Sequence, residues 1–337
     1  MGRVGAKGSI VAGMARLLAL AMLWQPGAAA QDRVCWLRDG SSPAPSLVYL
    51  LCEQGWLWVT TDGGATWSSR DTGAAGHLRN IDFLDANHGF AVGDDGQMLV
   101  TANAGKTWEA RKTGVKQHLA AIQFVGQSGW AAGFDGVILH SADGGNTWAP
   151  QETGTKESLE SLFFLDADHG WAVGWAGTIL LTTDGGRTWR QVRSDAASWS
   201  LCSVYFRDAR NGWIVGFGGR ILRSRDGGVT WEAQASPVKA WLTSVLFDGS
   251  NRGWIAADDG FLVSEDGGES WRQVPVEDRL FLSQLIPVNG SLWGIGQLGV
   301  LQLRGGLTWK RITTLVTDDP TRDMPTTKIV SMASHPN

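Results

Sequence analysis

The chain has 337 residues, with 29 Lys and Arg against 33 Asp and Glu, and a formal net charge of −4. Residues 31–337 keep 26 of the basic residues and all of the acidic ones, which brings their net charge to −7. A nucleic-acid partner requires a basic surface that neutralises phosphates, so this balance excludes nucleic acid as the expected partner.

The first 30 residues have the pattern of a cleavable signal peptide. Basic residues precede the apolar run LLALAMLW (17–24), and small residues stand at Ala28 and Ala30. The run is too short to span a membrane comfortably, and no later segment approaches the required length. We therefore expect cleavage after Ala30 and export, with residues 31–45 as a lead-in to the folded domain.

Three cysteines follow the predicted cleavage site. Cys35 and Cys52 lie close together near the new N-terminus, and a disulfide between them is possible in an oxidising compartment. Cys202 would then stay free. The alternative of three unpaired thiols stays open at the level of sequence.

An octapeptide of the form S/T-x-D-G-G-x-T-W recurs through residues 46–313. The closing tryptophans are 38 to 42 residues apart. The copies place Asp or Asn at the third position and Trp at the eighth: Asp62 and Trp67, Asn103 and Trp108, Asp143 and Trp148, Asp184 and Trp189, Asp226 and Trp231, Asp266 and Trp271, with Trp309 closing a degenerate seventh copy. A fixed period over seven copies indicates a repeat architecture.

Each period of about 40 residues contains four short apolar runs separated by Gly, Asp and Asn. In residues 118–151 these are an alternating run, the Gly-aromatic run GWAAG (129–133), the run GVILHS (136–141) and the residues after the octapeptide. Four strands joined by tight turns in about 40 residues form one blade of a β-propeller. The prediction is an all-β, seven-bladed propeller of four-stranded antiparallel blades over residues 46–313.

The octapeptide lies between the third and fourth strands and is predicted to be a structural hairpin turn. Its Asp can accept hydrogen bonds from the turn, and its glycines permit the positive φ that tight turns need. Each copy supplies one carboxylate, whereas calcium takes several oxygen ligands. We expect no metal and no cofactor.

The repeated octapeptide is the Asp-box, or bacterial neuraminidase repeat, and it is called the box below. Together with the GWAVG-type strand in each blade, it resembles the photosystem II stability/assembly factor family. That resemblance implies a seven-bladed propeller on the periplasmic side, or in the thylakoid lumen of a photosynthetic source, that assists assembly of a membrane protein complex. In a non-photosynthetic source the client would be another complex, such as an envelope transporter or a secretion complex.

Ring closure is predicted from a gap in the first blade. Counting 22 residues back from Asp62 reaches Gly40, within the loop-like sequence RDGSSPAP. Blade 1 is therefore expected to lack its inner strand there. Within the C-terminal tail (314–337), the β-prone run 326–334 is predicted to supply that strand, with RVCWL (33–37) as the rival donor.

Partners are expected on the face formed by the strand 2–3 turns and the links between blades, opposite the Asp-boxes. Aromatic residues, which are enriched in binding surfaces, recur there together with scattered cations. The candidate interaction residues are Phe134, Trp175, Trp199, Phe217, Trp241, Arg79, Lys116 and Lys239, and Phe281 is a further aromatic later in the chain. The alternative is that each ring packs onto its own blade and each cation is simply solvated.

No catalytic residues are predicted. Sialidase chemistry needs a Tyr nucleophile with a carboxylate pair and an arginine cluster, whereas Tyr49 and Tyr205 lie in apolar strand patterns. The leading hypothesis is a monomeric, exported, non-catalytic scaffold that binds a membrane protein complex. The alternative is a carbohydrate-binding or vestigial sialidase-like propeller that uses the same aromatics to stack on sugars.

Overall fold

Each period of the sequence folds into one four-stranded antiparallel sheet, with the strands in chain order from the channel outward. The computed structural model describes residues 33–52, 55–194, 199–274, 276, 281–297, 299–304, 307–313 and 316–317. The predicted signal peptide (1–30) and the tail segment 326–334 lie outside the described residues.

The strands follow one another without α-helices in the described part of the chain. A separate ladder pairs β1 (Arg33–Val34) with β30 (Val316–Thr317). Blades 1 to 3 consist of β2 (Leu37–Ala44), β3 (Leu47–Cys52), β4 (Trp56–Thr60), β5 (Ser68–Asp71); β6 (Leu78–Phe83), β7 (Gly89–Gly93), β8 (Met98–Thr101), β9 (Glu109–Ala110); β10 (Leu119–Val125), β11 (Ser128–Gly133), β12 (Ile138–Ser141), β13 (Ala149–Gln151).

Blades 4 to 7 repeat the pattern. They consist of β14 (Leu159–Phe164), β15 (Gly170–Gly174), β16 (Ile179–Thr182), β17 (Arg190–Gln191); β18 (Leu201–Phe206), β19 (Gly212–Gly216), β20 (Arg220–Ser224), β21 (Glu232–Gln234); β22 (Leu242–Phe247), β23 (Gly253–Ala257), β24 (Gly260–Ser264), β25 (Arg272–Val274); β26 (Leu282–Val288), β27 (Ser291–Gly296), β28 (Gly299–Arg304), β29 (Thr308–Thr313). The first strands of successive blades are in contact, and β26 contacts β2, which closes the ring. The predicted seven-bladed propeller is confirmed.

The core lies between blades, in a repeated set of three aromatic rings. Trp171, in the second strand of blade 4, stacks on Phe206 of blade 5 at 3.5 Å between ring centroids. The box residue Trp231 meets the same Phe206 edge-on at 5.6 Å. The Trp171 indole also donates to the Gly227 carbonyl in the box of blade 5 at 3.0 Å. Each second strand is buried on both faces because it packs against two blades.

The packing between blades explains why the Gly-aromatic run begins and ends with glycine. A Cβ on Gly212, the first residue of β19, would lie 2.4 Å from the Phe206 ring. A Cβ on the last residue, Gly216, would lie 2.2 Å from the Ser200 carbonyl oxygen in the link before the blade. Both ends of the run therefore need glycine, while the Trp between them fills the space between blades.

Blade 1 differs from the prediction: its inner strand is present, at Leu37–Ala44. The count of 22 residues reached the correct position, because Gly40 pairs with Leu50 as Ile81 pairs with Ala91 in blade 2. A Cβ on Gly40 would lie 2.4 Å from Ile286 Cδ1 of blade 7. The Ile286 side chain of the last blade thus fills the space that the apolar side chain of Ile81 occupies in blade 2. The segment forms a strand although its composition is typical of a loop.

This strand lies inside the segment 31–45 that was expected to be a lead-in, and it fills the position assigned to residues 326–334. The rival donor, RVCWL, contributes only its last residue to the inner strand. Arg33 and Val34 pair instead with Val316 and Thr317. Cys35 and Cys52 form a disulfide, with their Cα atoms 5.8 Å apart.

Candidate functional site

The two faces of the ring carry different connections. On one face the strand 2–3 turns bond to the links that precede each blade, as in Phe134 N–H to His118 O and Trp175 N–H to Ser158 O, both 2.9 Å. On the other face the boxes bond to the strand 1–2 turns, as in Gly144 N–H to Gln127 O at 2.9 Å. We name the first the loop face and the second the box face.

A channel cavity of about 680 Å³ opens on the loop face and is lined by the first strands of all seven blades. Polar side chains in these strands bond to the backbone of the next blade's first strand. Asp39 accepts from Ile81 N–H at 3.0 Å, and Asp82 accepts from Phe124 N–H at 2.9 Å. Gln123, Ser203 and Ser244 accept equivalent bonds from Phe164, Val245 and Leu285.

The carboxylates of this network lie where water is largely excluded. Burial raises the pKa of Asp39 to about 7, against the lowering effect of hydrogen bonds from Ile81 and Gly40. Burial likewise raises the pKa of Asp82, which reaches the channel, to about 6. Both groups therefore favour the protonated form more strongly in the folded protein than in the unfolded chain.

Aromatic side chains surround the mouth of this cavity. Among the described residues four large apolar side chains are exposed, and three of them are at the loop face: Trp175 (48%), Phe217 (43%) and Trp199 (39%). Phe217 stacks on Trp241 at 4.5 Å, and Trp241 meets Phe281 at 5.2 Å. Phe217 and Trp241 are thus brought together across neighbouring blades, whereas Trp199 packs against the turn of its own blade.

Two further contacts involve aromatic rings at the mouth. Phe134 lies 6.1 Å from Trp175, and Trp36 meets Phe281 edge-on at 5.3 Å. We call the following six residues the aromatic crescent: Phe134, Trp175, Phe217, Trp241, Phe281 and Trp36. It passes from the turns of blades 3 to 5 to the links before blades 6, 7 and 1.

Polar contacts hold the indole rings of the crescent in place. Trp175 Nε1 donates to Glu160 of the first strand of the same blade. Trp241 Nε1 is 3.0 Å from the free thiol of Cys202. Burial raises the pKa of the Cys202 thiol to about 11, so the protonated thiol is the stable form beneath the crescent.

The predicted cations are distributed unevenly around the mouth. Arg79 lies over the Phe134 ring at 5.2 Å and pairs with Asp94 at 2.8 Å. Lys116 and Lys239 are exposed in the links before blades 3 and 6. Trp199 lies under Arg220, 5.2 Å from its guanidinium carbon, and packs against the turn at Gly218. Arg79 therefore joins the crescent, whereas the two lysines flank it.

Trp36 is the crescent member that sequence reasoning missed. It directly precedes the inner strand of its blade, as Trp241 and Phe281 precede theirs. That equivalence was hidden because the strand after it was interpreted as a loop. Correct placement of β2 would have aligned the three residues.

The Asp-boxes form closed hydrogen-bond sets at the rim of the box face. In blade 4, Asp184 accepts from Thr188 N–H at 2.9 Å and from the hydroxyls of Thr182 and Thr188 at 2.8 and 2.6 Å. These hydrogen bonds lower the pKa of Asp184 to about 2, the Thr188 hydroxyl contributing most. Asn103 makes the same bond to Thr107 N–H at 2.9 Å, so the turn does not require a charge.

The box tryptophans lie beside these turns. Trp67, Trp231 and Trp271 are buried. Trp108, Trp148 and Trp189 are half-buried. Trp309 lies within the fourth strand of blade 7 and stacks on Phe261 of blade 6 at 3.7 Å.

The groups considered for catalysis or metal binding are dispersed. Tyr49 is buried and donates to the Ala86 carbonyl at 2.9 Å, whereas Tyr205 lines the channel. Within the described residues, no group of three or more His, Cys, Asp or Glu side chains is arranged to hold a metal ion. In the same part of the chain, no helix has the length and apolar character needed to cross a membrane.

The fold is that of a seven-bladed β-propeller with four-stranded antiparallel blades. Residues 71–157 and 189–284 match the family described as photosynthesis system II assembly factor YCF48. These two stretches make up more than half of the chain, so the protein belongs to this family, and the resemblance noted from its motifs is confirmed. A search among curated proteins found no significant match.

Solved structures share the architecture at low sequence identity. The structure titled "YCF48 bound to D1 peptide" is 21% identical, with a TM-score of 0.68 over 81% of this chain and 93% of that one. YCF48 from Cyanidioschyzon merolae is 18% identical, with a TM-score of 0.66 over 81% and 98%. An ancestral GH74 enzyme is 13% identical, with a TM-score of 0.67, and the match covers only 49% of that longer chain.

Proposed function

We propose that this protein is an exported, non-catalytic scaffold that assists the assembly or stability of a membrane protein complex. It does so by binding a peptide segment of one subunit across the aromatic crescent. In a photosynthetic source the complex is photosystem II, and in another source it is a different envelope complex. The observation that carries the proposal is the crescent itself, in a chain that belongs to the assembly-factor family.

The geometry of the mouth favours a peptide ligand. The crescent offers exposed apolar rings next to backbone groups and cations, and aromatic residues of this kind often dominate binding energy. The cavity behind it, about 680 Å³, is large enough to receive side chains from a segment lying across the mouth. The solved relative bound to D1 peptide makes a peptide the first ligand class to test.

Export is proposed from the signal-like sequence of residues 1–30, and the Cys35–Cys52 disulfide is consistent with an oxidising compartment. The non-catalytic role is proposed because the polar groups of the channel are engaged in bonds between blades. Asp39 and Asp82, its most perturbed carboxylates, each accept a backbone hydrogen bond from the neighbouring blade.

Site-specific photocrosslinking in the native cell tests the proposal. A photoreactive residue is placed at Trp175 in one variant and at Trp241 in another, and mass spectrometry identifies what is captured. The control position is Val229, which is 49% exposed on the box face. We expect one membrane protein to be captured from both crescent positions and not from Val229.

Two results would contradict the proposal. If well-folded crescent variants give no protein adduct while Val229 does, the box face is the interface. If none of the three positions captures a protein, glycan-array binding becomes the next measurement, because stacked aromatics also bind sugars.

A further inference from the structure

Blade 1 carries a cysteine where its second strand ends. In blades 2 to 5 and 7 that residue is glycine, and in blade 6 it is Ala257. A Cβ on Gly93 or Gly133 would lie 2.1 or 2.0 Å from a carbonyl oxygen of the preceding link. The link carbonyl accepts a hydrogen bond from the next residue, as His77 O does from Asp94 N–H at 2.9 Å. In blade 1 the equivalent residue is Cys52, which pairs with Leu37 as Gly93 pairs with Leu78.

In blade 1 a covalent bond joins these two segments. The Cys35–Cys52 disulfide joins the link before β2 to the end of β3, across a sequence separation of 17. Both cysteines are buried, among Leu50 and Trp58 of blade 1 and Ile286 of blade 7. The bond thus lies at the junction where the last blade meets the first.

The strand that this bond secures is intrinsically weak. Its sequence, LRDGSSPA, is rich in residues that are depleted from β-strands. Beside it, β1 and β30 form a ladder of only two residue pairs. A disulfide that restricts the unfolded chain compensates for such weakness.

Trp36, between Cys35 and Leu37, makes the contacts across this junction. Its Nε1 donates to Ser283 Oγ of blade 7 at 3.1 Å. Its ring meets Phe281, which in turn meets Trp241. Arg38 lies over the other side of the ring, 5.1 Å from its centroid. The position of Trp36 in the crescent therefore depends on the backbone at Cys35.

We propose that the Cys35–Cys52 disulfide is a latch that positions Trp36, so that the client segment binds across the blade 7–blade 1 junction only in the oxidised protein. This inference rests on the proposed function. Latching converts two thiols into one disulfide, and two protons and two electrons pass to a protein disulfide oxidant of the compartment, which becomes a dithiol. Client binding on this side of the mouth thus follows oxidation of the chain.

Two variants and a matched control test the latch. The double variant Cys35→Ser/Cys52→Ser removes the bond, and Trp36→Ala removes the ring while keeping the bond. Val229→Ala is the control, because it changes an exposed side chain on the box face without touching the latch or the crescent. Hydrogen exchange is followed on peptides covering residues 33–37 and 281–288, with the blade 4 box as the remote reference.

Client binding is followed by photocrosslinking from Gln297, an exposed residue in the strand 2–3 turn of blade 7. In the double variant we expect exchange in both junction peptides to be about tenfold faster, with the blade 4 box unchanged, and crosslinking from Gln297 to be lost. Trp36→Ala is expected to lose the same crosslink with a small change in melting temperature. Val229→Ala is expected to retain both exchange and crosslinking.

The outcomes separate the two proposals. Unchanged exchange at the junction in the double variant overturns the latch. Full crosslinking from Gln297 in Trp36→Ala overturns the role of Trp36, and this variant decides the matter even if the double variant does not fold. Absence of any client adduct from the unmodified crescent overturns the proposed function, while the exchange data still decide whether the disulfide holds the junction.

Discussion

The box face and the loop face are built by the same seven blades, but their side chains bond in different ways. At the rim of the box face, each carboxylate accepts hydrogen bonds from its own turn, and the pattern repeats with the same distances in blades 1, 3, 4 and 5. On the loop face the equivalent turn residues are Asp94, Phe134, Trp175, Phe217 and Asp258. The repeat constrains one face and leaves the other free to vary.

The carboxylates show the same contrast in their chemistry. Hydrogen bonds to exposed box carboxylates such as Asp184 lower the pKa to about 2, whereas burial raises the pKa of Asp39 to about 7. The box turns therefore favour the charged form, and the channel favours the neutral form. Regular hydrogen bonding stabilises the ring at the rim of the box face. The loop face carries exposed aromatic rings, and the channel carries buried carboxylates, both of which are unfavourable for stability.

Two tryptophans four positions apart give the largest expected effect. Trp171→Ala removes a buried ring and the indole hydrogen bond to Gly227, and we expect it to lower the free energy of unfolding by about 3–5 kcal/mol. Trp175→Ala removes a ring that is 48% exposed and should change it by about 0.5 kcal/mol or less. Chemical denaturation measures both; equal losses would mean that the crescent is part of the core.

The crescent substitutions should instead affect binding. Trp175→Ala and Phe217→Ala are expected to weaken binding of the captured client segment roughly tenfold to a hundredfold, since buried aromatics commonly dominate an interface. Titration calorimetry with that segment measures the change. Val229→Ala on the box face is the control and should bind as the unmodified protein does; equal weakening in all three would refute a binding site confined to the loop face.

Stability should depend on pH in two opposite ways. The raised pKa of Asp39 contributes stability that is complete below pH 3.8 and is lost as the pH rises through about 7. The lowered pKa of Asp184 contributes stability above pH 3.8 that is lost as the pH falls through about 2. We expect the melting temperature to be highest near pH ~4 and to decline toward pH ~8.

Asp39→Asn sharpens this test because the amide oxygen can still accept from Ile81 N–H while carrying no charge. The variant should lose the share of the alkaline decline that Asp39 contributes, keep the share of Asp82, whose pKa is raised to about 6, and melt higher than the unmodified protein at pH ~8. Thermal melts over the pH range measure this. An unchanged alkaline decline in Asp39→Asn would locate its origin elsewhere.

A smaller loss of stability than that of Trp171→Ala is expected at the rim. Asp226→Ala removes the acceptor for Thr230 N–H and should cost about 1 kcal/mol of stability. Asp226→Asn should cost less, because Asn103 makes the equivalent bond in blade 2. Denaturant unfolding of the two variants measures the difference; equal losses would show that the charge, and not the acceptor, matters.

The features that recur in every blade were predicted from the sequence, whereas the inner strand of blade 1, which departs from the repeat, was not. The period, the box turns and the Gly-aromatic strand follow from spacing and turn chemistry, because every blade must pack on the next in the same way. The inner strand of blade 1 was missed because Gly40 has no side chain to reveal it and Ile286 of blade 7 fills its place. When a side chain from a distant segment fills the space, the strand's own sequence lacks the apolar pattern by which strands are predicted.

The candidate site was predictable in composition but not in arrangement. The turn aromatics Phe134, Trp175 and Phe217 were found by aligning blades. The stacking of Phe217 on Trp241 and the contact of Trp241 with Phe281 depend on how adjacent blades are oriented in space. Trp36 was not predicted as a site residue because the strand that follows it was interpreted as a loop.

Four second-strand tryptophans reach the following blade around the ring. Trp130, Trp171 and Trp213 each donate to a box glycine in the following blade, and Trp293 of blade 7 packs against Trp67 of blade 1. The order of blades along the chain and their order in the ring are therefore separable. A circularly permuted chain that began at blade 4 would keep these four contacts, so the position of the termini is open to evolutionary and engineered change.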